Sequence, residues 1–233
     1  MILVGIDDTD TIDTPGTNQL ARRIVEALAA DFRCHAIVRH QLFFDPRIPY
    51  TSKNGSASIW LEPRVEYSPP VLLSQLRHLM QEYFVVGSDP GLCLATHVPA
   101  EVSAYALRCQ REVMTQDEAH ATAAAAGIHL AGLGGTEGGV IGALAAVGLA
   151  VTRNDGRLVQ WGEWPDDLTG QQSITTLAKR EVLVRERATG REIATGMVDV
   201  GKHLRPNFVR GQVVLWAEAV ANENDHWLGL KIV

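Results

Sequence analysis

The sequence predicts an α/β (α+β) fold in which a mixed sheet with flanking helices is followed by a smaller β-rich C-terminal region. Up to Val151, short apolar runs alternate with amphipathic helical patterns, which is typical of a sheet covered by helices. After Val151, short strand-like runs and turn signals dominate. The 233 residues are 46% hydrophobic, which suits one large domain or two small ones. We expect a larger region over 1–178 and the β-rich region over 179–233.

The first half of the chain contains the strand and helix patterns in turn. The run from Met1 to Val4 is typical of a buried strand. Thr14 and Pro15 suit the N-cap and first position of a helix that we expect to end near Asp31. Further strands are predicted over 34–40, 56–61 and 92–95, and helices over 68–83, 100–110 and 115–126, the last with a capping-box signature.

The second half predicts a glycine-rich loop, a helix of small residues and then strands. Asn154-Asp155-Gly156 is typical of a hairpin turn, here between residues 150–152 and 158–161. Later strands are predicted over 182–184, 193–200, 212–220 and 227–233. Between Lys179 and Gly211 there are eight Lys or Arg and four Asp or Glu. This basic excess indicates either a phosphate-facing surface or a solvated strand face.

The most informative stretch is the turn after the first strand, Gly5-Ile6-Asp7-Asp8-Thr9-Asp10. Three carboxylates within four residues are costly to bury unpaired, so we expect a cation or a donor-rich ligand nearby. Mg²⁺ takes oxygen ligands and often lies between carboxylates and the phosphates of a nucleotide. The alternative is an acidic turn that caps the next helix, and spacing alone does not separate the two.

Two further loops and a helix end could contact an anionic ligand. Residues 45–56 include Lys53 and Asn54, which suit a polyphosphate or polar substrate, although the same pattern fits a surface hairpin tip. Residues 132–139 form either a phosphate or nucleoside cradle or a tight structural turn, and they match neither the Walker nor the dinucleotide pattern. We expect the N-terminus of the first helix, near Thr17, to face the acidic turn and offer free N–H groups to a phosphate.

Composition narrows the functional class. The net charge of -6 provides no basic field for non-specific nucleic-acid binding, although it leaves room for a local basic patch. The three cysteines form no Cys-x-x-Cys pair, which excludes a zinc knuckle and a redox motif. Sparse cysteines fit a reducing compartment, and the sequence shows neither a signal-peptide pattern nor an apolar run long enough to span a bilayer. We therefore expect a cytoplasmic protein.

Three motifs, in their order and spacing, resemble one enzyme family. They are Gly5-Ile6-Asp7-Asp8-Thr9-Asp10, the loop from Ile48 to Gly55, and Gly138-Gly139-Val140-Ile141-Gly142-Ala143-Leu144-Ala145-Ala146-Val147-Gly148. Together they are similar to the N-terminal part of the tRNA(Ile2) 2-agmatinylcytidine synthetases (TiaS). The resemblance covers residues 1–151 well and residues up to about 215 weakly. It implies a kinase-like and ferredoxin-like catalytic region over 1–178.

The family uses ATP and Mg²⁺ to phosphorylate the C2 carbonyl oxygen of a cytidine in the tRNA anticodon, and agmatine then displaces the phosphate. The resemblance implies the same two cofactors here, with Asp7, Asp8 and Asp10 as the metal site. Thr17 falls near a family threonine that can accept phosphate, and Lys53 replaces a glycine of the family's Gly-Asn-Gly loop. The implied catalytic residues are Asp7, Asp8, Asp10, Thr17 and Lys53, and the implied ATP-binding residues are Thr9, Asn54, Gly55, Gly134, Gly135, Gly138 and Gly139.

The sequence also departs from the family. Its length and its three cysteines without paired spacing leave no place for the OB-fold and zinc-ribbon modules that hold the tRNA in the family, and residues 11–14 lengthen the first loop by two residues. We therefore expect an ATP- and Mg²⁺-dependent enzyme that activates a carbonyl oxygen of a small molecule or nucleoside. Two alternatives stay open: a shortened tRNA-modifying enzyme that acts with an RNA-binding partner, and a non-catalytic nucleotide-binding protein.

Overall fold

The computed structural model describes residues 1–11, 14–49, 53–221 and 225–232. Parts of two predicted loops, Ile12-Asp13 and Tyr50-Thr51-Ser52, lie outside the described residues. The helices within the described ranges are α1 (Thr17–Ala27), α2 (Pro69–Tyr83), α3 (Ala100–Arg108), α4 (Gln116–Ala126), α5 (Val140–Ala150) and α6 (Ile174–Ala178). The strands are β1 (Ile2–Asp7), β2 (Phe32–Gln41), β3 (Gly55–Pro63), β4 (Gly91–Ala95), β5 (His129–Gly132), β6 (Arg157–Trp161), β7 (Gln171–Ser173), β8 (Val182–Glu186), β9 (Met197–Asp199), β10 (Asn207–Val209), β11 (Gln212–Ala219) and β12 (His226–Gly229).

The strands form one mixed sheet, which confirms the predicted fold class. Its order is β5-β4-β1-β3-β2-β6-β10-β11-β12-β9-β7, and β8 pairs with β11 away from this path. The pairs β8–β11 and β9–β12 are parallel, and the other pairs of described strands are antiparallel. β1 therefore lies between β3 and β4, so the acidic turn that follows it emerges near the middle of the N-terminal half of the sheet.

Each face of this half of the sheet has its own core because successive side chains of a strand point to opposite faces. Val4 and Ile6 of β1 pack with the apolar faces of α1 and α2. Leu3 packs on the opposite face with α3, α4 and α5. Gly5 lets α5 lie directly on β1, since a Cβ there would come within 1.9 Å of the carbonyl oxygen of Ala143. The small residues of α5 thus bring its N-terminus close to the acidic turn.

The β-rich region has a third core that draws on residues from Leu168 to Ala217. It includes Ile174 and Leu177 of α6 and the inward side chains of β8, β9 and β11. The division of the chain at residue 178 stays a prediction. The strand predicted over 193–200 is shorter than expected, because β9 covers only Met197–Asp199. An isolated bridge joins Glu192 to Arg185 instead.

The start of α1 differs from the prediction. The N-cap is Gly16 rather than Thr14, and Pro15 precedes the helix instead of occupying its first turn. The hydroxyl of Thr14 accepts from the backbone N–H of Thr11 at 2.7 Å and donates to its carbonyl at 3.1 Å. Because these local bonds use the hydroxyl, it caps no helix. The helix also ends at Ala27, four residues before the expected end.

The predicted hairpin around residues 154–156 is wrong. Residues 150–152 end α5 and the turn after it, and β6 pairs with β2 and β10 rather than with a neighbour across a tight turn. The side chain of Asp155 is bonded to His40 of β2 at 2.6 Å, which fixes this loop against the sheet. The strand β5 was not predicted. By contrast, the helix predicted over 68–83 and the capping box at Thr115 are both confirmed.

Two sequence expectations about the chain as a whole can be compared with the structure. Cys34, Cys93 and Cys109 are buried free thiols. In the part of the chain that the structure describes, no helix has the length and apolar character needed to cross a bilayer.

Candidate functional site

A cavity of about 220 Å³ opens at the end of β1, where the acidic turn, the loop before β3 and the glycine-rich loop before α5 meet. Among the predicted site residues, its lining includes Asp7, Asp8, Asp10, Thr17, Lys53, Asn54, Gly55, Gly138 and Gly139. Thr9, Gly134 and Gly135 lie outside this lining. Three stretches that are far apart in the sequence are thus brought together around one space, and the N-terminus of α1 borders the same space.

Asp7 is the last residue of β1 and projects against the first turn of α5. A Cβ on Gly142 would lie 1.8 Å from the carboxylate oxygen Oδ2 of Asp7, so only glycine at position 142 leaves room for this carboxyl. Asp8 follows with φ of 51°, a left-handed conformation that non-glycine residues seldom adopt. The chain turns sharply at Asp8, which lets both Asp8 and Asp10 line the cavity.

Asp10 is tied to the start of α1. The hydroxyl of Thr17 donates to Oδ1 of Asp10 at 3.1 Å, and the backbone N–H of Thr17 also bonds this carboxylate. Behind it, the buried hydroxyl of Thr9 donates to Thr17 at 3.2 Å. The helix N-terminus therefore faces the acidic turn as predicted. Its first N–H is occupied by Asp10, and Thr9 supports Thr17 rather than facing the cavity.

Burial raises the pKa of all three carboxyl groups of the acidic turn, and neighbouring carboxylates raise it further at Asp7 and Asp8. Burial raises the pKa of Asp7 to about 8, and the charges of Asp8 and Asp10 add to this effect. Burial also raises the pKa of Asp8 to about 6, helped by the nearby charge of Asp89. Burial raises the pKa of Asp10 as well, against the hydrogen bonds from Thr17. Negative charge is therefore held here at a cost that a bound cation would remove.

The acidic turn fits a cation that is shared with a ligand better than a complete protein-bound metal site. Within the described residues, no three His, Cys, Asp or Glu side chains come together as a metal-binding group. Mg²⁺ is usually held by only one or two carboxylates, with phosphate and water oxygens completing its shell. The carboxyls of Asp7 and Asp8 are charge-coupled neighbours, an arrangement that suits this smaller share.

The loop before β3 contributes one charge and one fixed backbone. Lys53 is exposed at the cavity wall. The amide of Asn54 donates to the carbonyl of Phe43 at 2.7 Å, so this side chain holds the loop in place. At Gly55, a Cβ would lie 2.6 Å from Nη2 of Arg39, and Arg39 therefore lies directly behind the cavity wall.

The glycine-rich loop is fixed to the cavity by Asp89, a residue that the sequence reasoning did not place in the site. Its carboxylate accepts from the backbone N–H of Thr136 at 2.7 Å and from the Thr136 hydroxyl at 2.5 Å. A Cβ on Gly135 would collide with the same carboxylate, which places Gly135 behind the lining. Asp89 itself lines the cavity, and its carboxylate adds to the three of the acidic turn and acts electrostatically on Asp8.

Several other residues of the cavity wall were also not predicted, and they include Leu42, Cys109, Glu112, Gln116 and Ile141. They come from the end of β2, from the segment after α3 and from the first turns of α4 and α5. The available local signal is the run Asp89-Pro90-Gly91, whose residue types indicate a turn and not a role in the site. The remaining residues carry no motif, and only tertiary packing brings them to the cavity.

The fold and the cavity define an α+β protein with an acidic pocket closed by a glycine-rich loop. No protein-family model and no curated protein matches the chain. Among solved structures, it is similar to a tRNA fluorescent labeling enzyme, at 26% identity and a TM-score of 0.55 over 63% of this chain and 35% of that one. It is also similar to TiaS in complex with tRNA(Ile2) and ATP, at 27% identity and a TM-score of 0.54 over 63% and 36%.

A third structure, apo TiaS (tRNAIle2 agmatidine synthetase), matches at 25% identity and a TM-score of 0.52, again over 63% of this chain and 35% of that one. These similarities show that the chain has a TiaS-like fold. The chain covers 35% to 36% of the length of these three structures.

Proposed function

We propose that this protein is an ATP- and Mg²⁺-dependent enzyme of the ligase kind that phosphorylates a carbonyl oxygen and so activates the carbonyl for attack by an amine. The carrying observation is the cavity in which the acidic turn, the Lys53 loop and the glycine-rich loop meet. The similarity to TiaS, one structure of which contains tRNA(Ile2) and ATP, supports the proposal.

The proposed chemistry depends on positioning and charge neutralisation more than on covalent help from the protein. The carbonyl oxygen forms a bond to phosphorus while the bond from that phosphorus to the leaving oxygen of the nucleotide breaks. The amine then attacks the activated carbon and loses a proton, and phosphate departs with the electrons of the C–O bond. Bound Mg²⁺ would supply charge neutralisation at the phosphates.

Each part of the cavity contributes to this proposed reaction. Asp7 and Asp8 would hold the cation, and its binding would displace the proton that the raised pKa keeps on Asp7 at pH 7. Lys53 contributes positive charge at the phosphates, and the backbone at Gly138 and Gly139 approaches them closely. Thr17 presents its hydroxyl oxygen in a fixed orientation because its proton is donated to Asp10.

The acceptor that we favour is a nucleoside within RNA, because two of the similar structures are described as a tRNA-labeling enzyme and a TiaS complex with tRNA(Ile2). In this reaction we expect an RNA-binding partner to assist the enzyme. A small molecule or free nucleoside is the second candidate. A cavity of about 220 Å³ is smaller than the ~300–1,000 Å³ of most ligand pockets, which suits a small reacting group.

The test compares ATP turnover by the wild-type protein with turnover by Asp8→Asn. Each is assayed with tRNA transcripts, with cytidine and without acceptor, and the nucleotide and phosphate products are separated by chromatography. Asp31→Asn is the matched control, because Asp31 is exposed and follows the far end of α1. We expect Asp8→Asn to lose turnover by at least a hundredfold while the control keeps it.

Wild-type protein that binds ATP but forms no product with any acceptor would contradict catalysis and select the non-catalytic nucleotide-binding alternative. Equal turnover by wild type and Asp8→Asn would reject the acidic site itself. Stimulation by tRNA but not by cytidine would select the RNA acceptor, and the reverse would select the free nucleoside.

A further inference from the structure

A row of polar side chains crosses the face of the sheet that α1 covers. Arg39 of β2 lies directly opposite Arg157 of β6, and Arg157 lies directly opposite Asn207 of β10. Residues directly opposite on neighbouring strands share a face, so the two guanidinium groups are close neighbours. Arg39 is 8% exposed. Two like charges, one buried and one partly exposed, are thus paired across strands, an arrangement that destabilises a sheet.

These two arginines have unused hydrogen-bonding groups. Nη2 of Arg39 donates to Gln41 at 3.1 Å. Nη1 of Arg39 and Nε of Arg157 are buried without a hydrogen-bond partner among the described residues. Burial lowers the pKa of both side chains, and each is lowered further by a neighbouring arginine, Arg39 by Arg157 and Arg157 by Arg205. A buried charge with open N–H groups is costly unless an anion compensates it.

Two more arginines extend this group toward solvent, and we call Arg22, Arg39, Arg157 and Arg205 the arginine cluster. Asp166 accepts from Arg22 at 2.9 Å and from both terminal nitrogens of Arg205 at 2.7 Å. The ring of His203 also faces Asp166, at 3.6 Å. One carboxylate is therefore shared by two guanidinium groups and an imidazole. Among the described residues, the charge of Asp7 favours the charged form of Arg39.

The cluster is reachable from outside and borders the cavity. The side chains of Arg22 and Arg205 are 33% and 16% exposed, and Arg157 is partly exposed. At its inner end, Nη2 of Arg39 lies directly behind Gly55, which lines the acidic cavity. The cluster therefore joins the protein surface to the back of the cavity wall.

We propose that the arginine cluster is a second ligand site, one that binds a phosphate group of the substrate. A guanidinium presents several N–H donors in a plane that matches phosphate oxygens, and Arg39 and Arg157 each have a donor nitrogen without a partner among the described residues. The phosphate belongs either to a nucleotide or to an RNA backbone. The anion site stands on the arginines alone, whereas this choice of phosphate ligands rests on the proposed function.

The experiment compares wild type with Arg157→Gln, and it uses Arg191→Gln as a control with the same change of charge, because Arg191 is 72% exposed in another part of the chain. The probes are inorganic tripolyphosphate, ATP and a tRNA transcript. Melting temperature is measured against tripolyphosphate concentration, ATP binding by calorimetry, and RNA binding by fluorescence anisotropy at several salt concentrations. Arg157→Lys serves as a second variant that keeps the charge and the packing of the aliphatic stem.

We expect Arg157→Gln without ligand to melt at or above the wild-type temperature, because a repulsive charge is removed, and to lose most of the stabilisation by tripolyphosphate. Its Kd rises about tenfold for the ligand whose phosphate occupies the cluster, which corresponds to about 1.4 kcal/mol. If that ligand is RNA, the slope of log K against log salt also falls by about 0.7 to 0.9. Weaker binding of ATP alone assigns the site to the nucleotide, and weaker binding of RNA alone assigns it to the RNA backbone.

Unchanged binding of all three probes by Arg157→Gln would overturn the proposal. An Arg157→Gln protein that melts below the wild type without ligand but binds the probes as the wild type does would also overturn it, because the cluster would then have only a structural role. If Arg157→Gln fails to fold, the stabilisation of Arg157→Lys by tripolyphosphate is compared with that of the wild type instead. A wild-type protein that tripolyphosphate does not stabilise also overturns the proposed site. The tripolyphosphate arm needs no turnover, so a protein without ATP-dependent activity can still pass it.

Discussion

Replacing Asp7 with Asn is expected to stabilise the ligand-free protein at neutral pH while removing its activity. In the folded state burial and the neighbouring carboxylates raise the pKa of Asp7 to about 8, against an ordinary value of 3.8. At pH 7 the folded protein therefore holds a proton on Asp7 that the unfolded chain has released. Taking up that proton costs at most about 4 kcal/mol at pH 7. Since Asp7 lines an open cavity, we expect about 2 to 3 kcal/mol in practice.

The sign of the pH dependence follows from the same shift. Between pH 4 and pH 8 the folded state binds more protons at Asp7 than the unfolded state, so the stability of the wild type falls as pH rises through this range. The Asp7→Asn variant has no titrating group at position 7 and therefore lacks this pH dependence. Its advantage over the wild type is expected to vanish near pH 4 and to be largest near pH 8.

The assay is urea denaturation of both proteins at pH 4, 5.5, 7 and 8, without divalent cations. The matched control is Asp155→Asn, which is expected to show the opposite sign. Burial alone would raise the pKa of Asp155. The hydrogen bonds with His40 and Gln110 and the charge of His40 lower this pKa below its ordinary value. Asp155→Asn should therefore be less stable than the wild type at pH 7 and approach it at low pH. An Asp7→Asn protein that is less stable than the wild type at pH 7 would contradict the destabilising effect assigned to the Asp7 carboxyl.

Two further substitutions test the walls of the cavity. Gly142→Ala places a Cβ 1.8 Å from the present position of the Asp7 carboxylate, so it should displace that side chain and lower ATP turnover at least tenfold, while circular dichroism shows a folded protein. Thr136→Val removes both the hydroxyl and its bond to Asp89, so it should loosen the glycine-rich loop and raise the KM for ATP about fivefold with a smaller change in kcat. Thr136→Ser keeps the hydroxyl and should restore the wild-type KM, and failure to do so would contradict the role given to this bond.

Local signals in the sequence predicted the elements that local chemistry determines. The helix over 68–83 and the capping box of Thr115 are examples, because turn residues and helical periodicity lie next to each other in the chain. The convergence of the acidic turn with two distant loops followed from the resemblance to TiaS rather than from periodicity. The structure brings these loops together, while the roles of the individual residues stay predictions.

Features that depend on strand pairing were not predictable in this way. Ala150 ends α5 and residues 151–152 form the turn after it, because a short run of this kind fits the end of a buried helix as well as a strand. Whether Asp155 turns a hairpin or bonds His40 depends on the placement of β2, which is more than a hundred residues away in sequence. The opposition of Arg39 and Arg157 depends on the same pairing of β2 with β6. Neither residue belongs to a motif, so the arginine cluster is visible only in the folded protein.

We propose that the acidic turn exchanges protons for a cation that binds together with a nucleotide. The most direct test of this exchange is calorimetric titration with Mg²⁺–ATP at pH 7 in two buffers of different ionisation enthalpy, which counts the protons released. Asp7, with a pKa of about 8, is mostly protonated at pH 7, so the account predicts release of about one proton on binding by the wild type and none by Asp7→Asn. Binding by the wild type without proton release, or no binding at all, would contradict the account.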